Sequence, residues 1–236
     1  MQAIVVDQEG TKLSYIDSGV PSSDARQSYT TIFAIHGTAF ASREFNAGMY
    51  ASLTVTFSCL AVFNKVAALA GQYGIRFVAI NRRDYPESTP FSPSDIQVLS
   101  TGTDDEKAGF LRARGVEIAT FIDRFAERNE TTEVSADGKT GGFAILGWSL
   151  GCALVHAAVA HVDGLPSALK RRFSNNLRAL IFEGKSSSQH IQAARSLKSP
   201  SGLPIVSIGT PIPPKAWSPH MDTTIPTELR DGFFLH

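Results

Sequence analysis

The feature of this chain that most restricts its fold is a serine between two glycines, at residues 147–151 (G-W-S-L-G). A short apolar run, residues 143–146, precedes this segment, and good helix formers, residues 153–160, follow it. This order predicts a strand, a sharp turn with Ser149 at its tip, and a helix, as in a nucleophile elbow. Such a turn strains the serine backbone, and Gly147 and Gly151 remove side chains that would clash around it. Ser149 then lies at a helix N-terminus, which favours developing negative charge.

Two alternatives bear on this interpretation. The pattern also occurs by chance, so a plain glycine-rich turn is one alternative, but the strand before it and the helix after it favour the elbow. The second alternative is Cys152 as the nucleophile. We predict that Cys152 faces the core at the start of the helix. Ser149 and not Cys152 holds the strained tip, which favours Ser149 as the nucleophile. Cys59 lies far away in the sequence, and the two cysteines form no metal-ligand pattern.

Charge and targeting signals narrow the classes of function. The chain has 236 residues, long enough for one sizeable α/β domain or two small ones, and its 22 basic and 22 acidic side chains give a net charge of zero. This balance does not indicate a nucleic-acid or anionic-membrane partner. The N-terminus has no basic segment followed by an apolar run, so we expect no signal peptide. With two cysteines expected to be reduced thiols, the sequence predicts a cytoplasmic location.

Apolar, β-branched runs alternate with helical patterns along the chain. Residues 3–6 and 13–16 predict an N-terminal hairpin. The predicted central strands are residues 30–35, 75–80, 143–146 and 177–182, and the predicted helices are residues 62–73, 105–128 and 166–175. Gly74 is placed to end the first helix, Asp104 or Asp105 to cap the second, and Pro166 lies near the start of the third. This alternation predicts an α/β fold with a mostly parallel β-sheet and helices on both faces.

Three of the predicted strands end in loops that should converge at one edge of the sheet, where ligands bind in such folds. They are residues 35–39 (I-H-G-T-A), residues 81–90 (N-R-R-D-Y-P-E-S-T-P) and the elbow. Together these loops resemble the α/β-hydrolase superfamily, and more closely its fungal, esterase- or lipase-like AB hydrolase-1 members. The first is similar to the family's H-G-x oxyanion loop. The second is similar to its D-x-x-G-x-G-x-S loop, with Pro86 and Glu87 in place of glycines.

The resemblance implies nucleophilic acyl transfer. Ser149 would attack a carbonyl carbon and form an acyl-enzyme, which water then hydrolyses. Backbone N–H groups of Leu150 and of the loop at Thr38 and Ala39 would hold the oxyanion. A serine at the tip, where relatives that form alkyl esters need a carboxylate, implies an ester-like small-molecule substrate: a carboxylic ester, a thioester or an amide. The resemblance implies no cofactor and no metal.

The acid and the base are less well defined by the resemblance. In the family they follow the nucleophile, so we expect a structural role for His36 and a loop-bracing role for Arg82, Arg83 and Asp84. Glu183, which ends the fourth central strand, is the candidate acid. The histidines after Ser149 are His156, His161, His190, His220 and His236. The first two should point away from the tip, and the other three lack the family's context for a base.

The last part of the chain departs from the family. We assign residues 1–209 to an α/β-hydrolase core and residues 210–236 to the start of a cap- or lid-like segment, so the last strands and helix are expected to be missing. For this chain we therefore predict little or no turnover. The rival hypotheses are an inactive truncated fragment and a non-catalytic binding protein of the same fold.

Two stretches interrupt the resemblance, which covers residues 1–48, 62–183 and 203–235. Residues 49–61 and 184–199 are insertions relative to the family, either translated introns or genuine surface loops. Residues 45–64 lack charge and approach the length of a membrane span, but serine and threonine residues make that span a poor one. We accordingly expect no membrane partner.

Overall fold

The computed structural model describes residues 2–21, 29–37, 63–129, 131–183 and, for the backbone, 205–208. Seven strands in these ranges form one sheet. They are β1 (Gln2–Val5), β2 (Lys12–Asp17), β3 (Thr30–Ile35), β4 (Ile75–Ile80), β5 (Phe143–Trp148), β6 (Leu177–Glu183) and β7 (Ile205–Ile208). The α-helices in these ranges are α1 (Asn64–Ala70), α2 (Pro93–Thr101), α3 (Asp104–Asn129), α4 (Leu150–Ala160) and α5 (Ser167–Asn176).

The order of the strands in the sheet is β1-β2-β4-β3-β5-β6-β7. The pairs β1–β2 and β2–β4 are antiparallel, and the other four pairs are parallel. The N-terminal hairpin and the mostly parallel sheet predicted from the sequence are both confirmed. β7, which pairs with β6 at the edge of the described sheet, was not predicted.

Helices cover both faces of the sheet. Phe33 and Ile35 of β3 belong to a buried cluster that includes residues of α3, α4 and α5. Ala34, between them, belongs to a second cluster with Phe63 and with Ala70 of α1. Because alternate residues of a strand point to opposite faces, α1 lies on one face and α3, α4 and α5 on the other. This arrangement was predicted.

The aromatic core on the larger face fixes the long helix α3 against the sheet. The ring of Phe33 meets Phe125 edge-on at 5.3 Å and Phe143 at 5.7 Å. Gly115 lets α3 approach α4, because a Cβ atom added there would lie 2.5 Å from the carbonyl carbon of Ala157. This close packing holds the C-terminal half of α4 against α3.

The helix ends differ in part from the prediction. Gly74 has the left-handed φ of 66° expected of a terminating glycine, although a 3-10 turn at Gly71–Tyr73 separates it from α1. The expected caps of α3, Asp104 and Asp105, are wrong. Both lie inside the helix, and Thr103 forms a capping box with Glu106 instead.

α2 was not predicted. It starts with a capping box between Ser92 and Asp95 and has Pro93 at its first position. All of its residues are at least partly exposed, so its apolar side chains follow no buried periodicity.

Several predictions concern residues outside the described ranges. They are the insertions at 49–61 and 184–199, the cap-like segment at 210–236, and Cys59. In the described part of the chain, no helix combines the length and the apolarity needed to cross a bilayer.

Candidate active site

The predicted elbow is present. β5 ends at Trp148, α4 begins at Leu150, and Ser149 between them has φ 53° and ψ −120°. A positive φ at a residue with a side chain costs about 1–3 kcal/mol and persists only where the surroundings enforce it. The side chain of Ser149 is exposed. The strained backbone therefore presents the hydroxyl at the carboxyl edge of the sheet.

Hydrogen bonds on both sides hold this turn. The backbone N–H of Ser149 donates to the carbonyl oxygen of Glu183 at 2.8 Å, and the N–H of Cys152 donates to the carbonyl oxygen of Ser149 at 2.9 Å. Trp148 and Glu183 are register partners in the parallel pair β5–β6. The end of β6 thus fixes the tip of the elbow.

Three glycines make room for the serine. A Cβ atom at Gly147 would lie 2.7 Å from Cys152 Cα, and one at Gly151 would collide with the carbonyl oxygen of Ile35. A Cβ atom at Gly37 would lie 2.7 Å from Ser149 Cβ and 3.3 Å from its Oγ. A side chain at either elbow glycine would thus clash within the turn. Gly37 brings the loop after β3 directly against the candidate nucleophile.

His36 is buried beside this contact, with both ring nitrogens engaged. Nδ1 lies 2.8 Å from the carbonyl oxygen of Gly37, and Nε2 accepts a 3.2 Å hydrogen bond from the backbone N–H of Arg82. These partners assign the proton to Nδ1. Burial, aided by the charge of Arg82, lowers the pKa of His36 to about 3, although the Gly37 carbonyl opposes that shift. His36 is therefore neutral, and both of its ring nitrogens are hydrogen-bonded to the backbone. Its role is structural, as predicted.

Arg82 braces the same contact from the loop after β4. Its guanidinium donates to the Gly37 carbonyl oxygen at 3.1 Å and to the Tyr85 hydroxyl at 3.0 Å. The Tyr85 ring in turn meets the His36 ring edge-on at 4.3 Å. Arg82, Tyr85 and His36 together position the carbonyl of Gly37, which confirms the bracing role predicted for Arg82.

The loop at residues 81–90 has left-handed backbone at two non-glycine positions. Within this loop they are Asp84 (φ 68°) and Glu87 (φ 65°). Glu87 thus does stand where a glycine would be favoured. The other position is Asp84 and not Pro86, because the proline ring holds φ near −65°. Asn81 anchors the loop by donating to Ser14 Oγ at 3.1 Å and to the Pro86 carbonyl oxygen at 3.0 Å.

Arg83 belongs to a cluster of four charges that the sequence did not reveal, in which Glu117 is buried and the other three residues are partly buried. It lies 3.2 Å from Asp95 and 3.6 Å from Glu117, and Arg114 lies 3.2 Å and 2.7 Å from the same two carboxylates. Burial raises the pKa of Glu117, against the opposing charges of Arg114 and Arg83. The cluster ties the loop after β4 and the start of α2 to α3. The bracing role predicted for Arg83 is confirmed.

Cys152 is buried, and its thiol lies 3.1 Å from the carbonyl oxygen of Gly147. Burial raises the pKa of this thiol, which disfavours the thiolate. The inward orientation predicted for Cys152 is confirmed. Ser149 is the exposed candidate for the nucleophile.

Glu183 touches the elbow through its backbone. Its carboxylate is exposed at the end of β6 and has no hydrogen bond or ion pair with another residue in the described ranges. Its role as the catalytic acid stays a prediction.

The described histidines do not supply a base next to Ser149. The ring of His156 stacks on Phe182 at 4.5 Å, and His161 lies at the far end of α4. Both therefore lie away from the tip, as predicted. His190, His220 and His236 lie outside the described ranges, as do Thr38 and Ala39 of the expected oxyanion loop.

Leu150 begins α4, so its backbone N–H has no acceptor within the helix. No cluster of three or more metal-ligating side chains occurs among the described residues.

The chain matches no protein-family model and no curated protein. Among solved structures it is similar to a bromoperoxidase from Bacillus anthracis, with 13% identity, a TM-score of 0.38, and coverage of 77% of this chain and 43% of that chain. An esterase from Exiguobacterium antarcticum has 14% identity and a TM-score of 0.38 over 78% of this chain and 45% of that chain. An α/β serine hydrolase without lid from Xanthomonas campestris has 14% identity and a TM-score of 0.39 over 88% of this chain and 83% of that chain. The chain thus spans less than half the length of the first two.

The order of the three loops in the fold agrees with what the sequence analysis expected. The loop with His36 follows β3, the loop with Asn81 follows β4 and the elbow follows β5, as the resemblance implied. These three strands are parallel, so the loops meet at one edge of the sheet.

Proposed function

We propose that this chain is a serine hydrolase that cleaves an ester-like small molecule through an acyl-enzyme on Ser149. One observation carries the proposal: Ser149 is exposed at the tip of the elbow with φ 53°, a strained conformation for a residue with a side chain. Three glycines and the bond to Glu183 maintain that strain. A strained, exposed hydroxyl at a helix N-terminus suits nucleophilic attack, whereas a plain turn would relieve the strain with a glycine.

In the proposed reaction, Ser149 Oγ attacks the carbonyl carbon of the ester and its proton passes to a general base. The backbone N–H of Leu150, with an N–H from the loop at Thr38 and Ala39, stabilises the oxyanion. The tetrahedral intermediate then expels the alcohol, which takes the proton. Water attacks the acyl-enzyme by the same route in reverse and releases the acid. Glu183, at the end of β6, is the proposed acid that would orient the base.

The base is assigned to none of the described histidines, which leaves His190, His220 and His236 as candidates. Replacing whichever of these three acts as the base should remove most of the turnover, because triad residues act as a unit. Even without the base, the elbow and the backbone N–H groups should keep the rate of hydrolysis above the uncatalysed rate in water.

The second candidate function is a non-catalytic binding protein. A cytoplasmic location and a substrate without nucleic-acid or membrane components remain part of the proposal.

A fluorophosphonate probe followed by peptide mapping tests the proposal on the full chain. We expect the phosphonyl group on Ser149 and its loss in Ser149→Ala. Ser167→Ala, which changes an exposed serine at the start of α5, is the matched control and should label like the wild type. Labelling spread over surface serines, or none at Ser149, would contradict the hydrolase and favour the binding protein. Where hydrolysis of a nitrophenyl ester is detected, substituting His190, His220 or His236 by alanine identifies the base.

A further inference from the structure

We infer that an apolar cavity beside the elbow binds a hydrocarbon chain or ring of the substrate. This inference rests on the proposed function and names the substrate class it would serve. The cavity has a volume of about 230 Å³ and lies between the loop after β4 and helices α2, α3 and α4. The aliphatic side chains around it are Leu13, Leu99, Leu111, Ile118, Leu150 and Leu154.

Leu150 connects this cavity to the candidate nucleophile. It follows Ser149 directly, and its backbone N–H is the proposed oxyanion donor, while its side chain lines the cavity. The residue is 44% exposed, whereas Cys152 and Leu154 of the same helix are buried. A substrate whose carbonyl group lies at Ser149 and whose apolar part enters the cavity would cover this leucine.

Three of the charged side chains that line the cavity, Arg83, Arg114 and Glu117, form ion pairs with one another. Arg83 and Arg114 both contact Glu117, at 3.6 Å and 2.7 Å. Their guanidinium groups also lie over aromatic rings of the cavity wall: Arg83 is 5.5 Å from the centre of Phe91, and Arg114 is 4.7 Å from that of Phe110. Apart from Nε of Arg83, which is buried without a hydrogen-bond partner among the described residues, these pairings leave aliphatic stems and rings to face an occupant, which favours an apolar group.

Further cations border the cavity without changing this conclusion. The guanidinium of Arg82 is bonded to the Gly37 carbonyl oxygen and to Tyr85. Lys107 is exposed, so its ammonium group can remain in water while its stem lies along the apolar wall. The occupant therefore does not need to carry a charge into the cavity.

The volume limits the size of the occupant. An apolar cavity of about 150 Å³ holds benzene. A volume of about 230 Å³ then suits a substituted ring or a chain of about six to eight carbons. The inferred substrates are esters of medium length or with one aromatic ring.

Binding of simple alkanoates tests the cavity independently of catalysis. Full-length protein carrying Ser149→Ala is titrated with butanoate, hexanoate and octanoate, and binding is followed by NMR. We expect affinity to rise about fourfold for each added methylene, because each one leaves water. Leu99→Trp, which fills the cavity from α2, should weaken octanoate binding by about tenfold, the equivalent of roughly two buried methylenes. Ile96→Trp lies on the same helix, is 55% exposed and does not border the cavity, so it should leave binding unchanged.

Reactive probes then show which part of the ester enters the cavity. Phosphonofluoridates with longer chains on phosphorus mimic the acyl part, and those with longer chains on oxygen mimic the alcohol part. Acceleration of labelling at Ser149 in either series, removed by Leu99→Trp, supports the inference. Alkanoate affinity that is independent of chain length, or unchanged by Leu99→Trp, overturns it.

The two proposals fail in different ways. Chain-length-dependent binding in Ser149→Ala together with an unreactive Ser149 would contradict the serine hydrolase alone. A reactive Ser149 with no dependence on chain length would contradict the cavity alone.

Discussion

The backbone N–H of Ser149 donates a 2.8 Å hydrogen bond to the carbonyl oxygen of Glu183. This bond crosses from the tip of the elbow to the end of the neighbouring strand. It places the candidate nucleophile and the candidate acid at the same edge of the sheet, on adjacent parallel strands. It also gives the strained turn a fixed neighbour, so the strain at Ser149 is a property of the fold and not of a mobile loop.

Replacing Ser149 by glycine should relieve this strain. We expect Ser149→Gly to raise the free energy of unfolding by about 1–2 kcal/mol, because glycine adopts a positive φ without penalty. Ser149→Ala keeps a Cβ atom and should show no such gain. Denaturant unfolding of the two variants measures the difference. Equal stabilities would contradict the strain.

Adding a methyl group at Gly37 should disturb both the nucleophile and the fold. The new Cβ atom would lie 2.7 Å from Ser149 Cβ and 2.9 Å from the Trp148 carbonyl oxygen. We expect Gly37→Ala to lower stability by roughly 1–3 kcal/mol, as other over-packing changes do, and to slow phosphonylation of Ser149. Gly109→Ala is the control, since no atom lies within 4 Å of its added Cβ in α3. It should raise stability by about 0.5–1 kcal/mol. A Gly37→Ala protein with normal stability and labelling would refute the close approach.

His36 should make the protein less stable in mild acid. Its pKa in the folded protein is about 3, below the ordinary value of 6.5. The stability that the neutral ring contributes is therefore fully present above pH 6.5 and is lost as the pH falls toward about 3. Its contribution to the slope is at most about 1.4 kcal/mol per pH unit.

The variant His36→Gln isolates the contribution of His36 to the pH dependence of stability, because the carboxylates titrate in both proteins. The difference in unfolding free energy between wild type and variant should shrink as the pH falls from 7 to 4. Parallel stability profiles over that range would show that His36 does not keep a lowered pKa.

The stability of the charge cluster should depend on Glu117, its buried member. Removing its carboxylate by Glu117→Ala leaves Arg83 and Arg114 to share Asp95. Breaking a buried pair from one side costs about 3–5 kcal/mol, so we expect a loss of that order in urea unfolding. Asp163→Ala, which breaks the exposed ion pair with Lys170, is the control and should leave stability unchanged. A loss no larger than in the control would mean that the cluster is solvated.

The parts of the fold that were predictable are those in which burial controls the sequence pattern. β3 and β4 have the predicted bounds because their apolar runs end sharply at His36 and Asn81. α2 was missed because Ile96 and Leu99 are exposed, so no buried periodicity marks the helix. Its signal was the cap formed by Ser92 with Asp95. β7 has only four residues and lies at the edge of the described sheet, where no alternation builds up.

The site was predictable only where a motif carries the geometry. The G-W-S-L-G pattern indicated the strain at Ser149 because a tight turn dictates its own backbone angles. The bond from Ser149 to Glu183 depends on the register between β5 and β6, which residue types do not encode locally. The cluster around Glu117 joins a loop and two helices that lie apart in the sequence, so only the folded chain brings its charges together.

The central claim is that Ser149 is a nucleophile, and the most direct measurement is the site of phosphonylation in the intact 236-residue chain. After reaction with a fluorophosphonate and peptide mapping, the account predicts the adduct on Ser149, and none in Ser149→Ala. An adduct distributed over exposed serines, or unmodified Ser149 in folded protein, would contradict it.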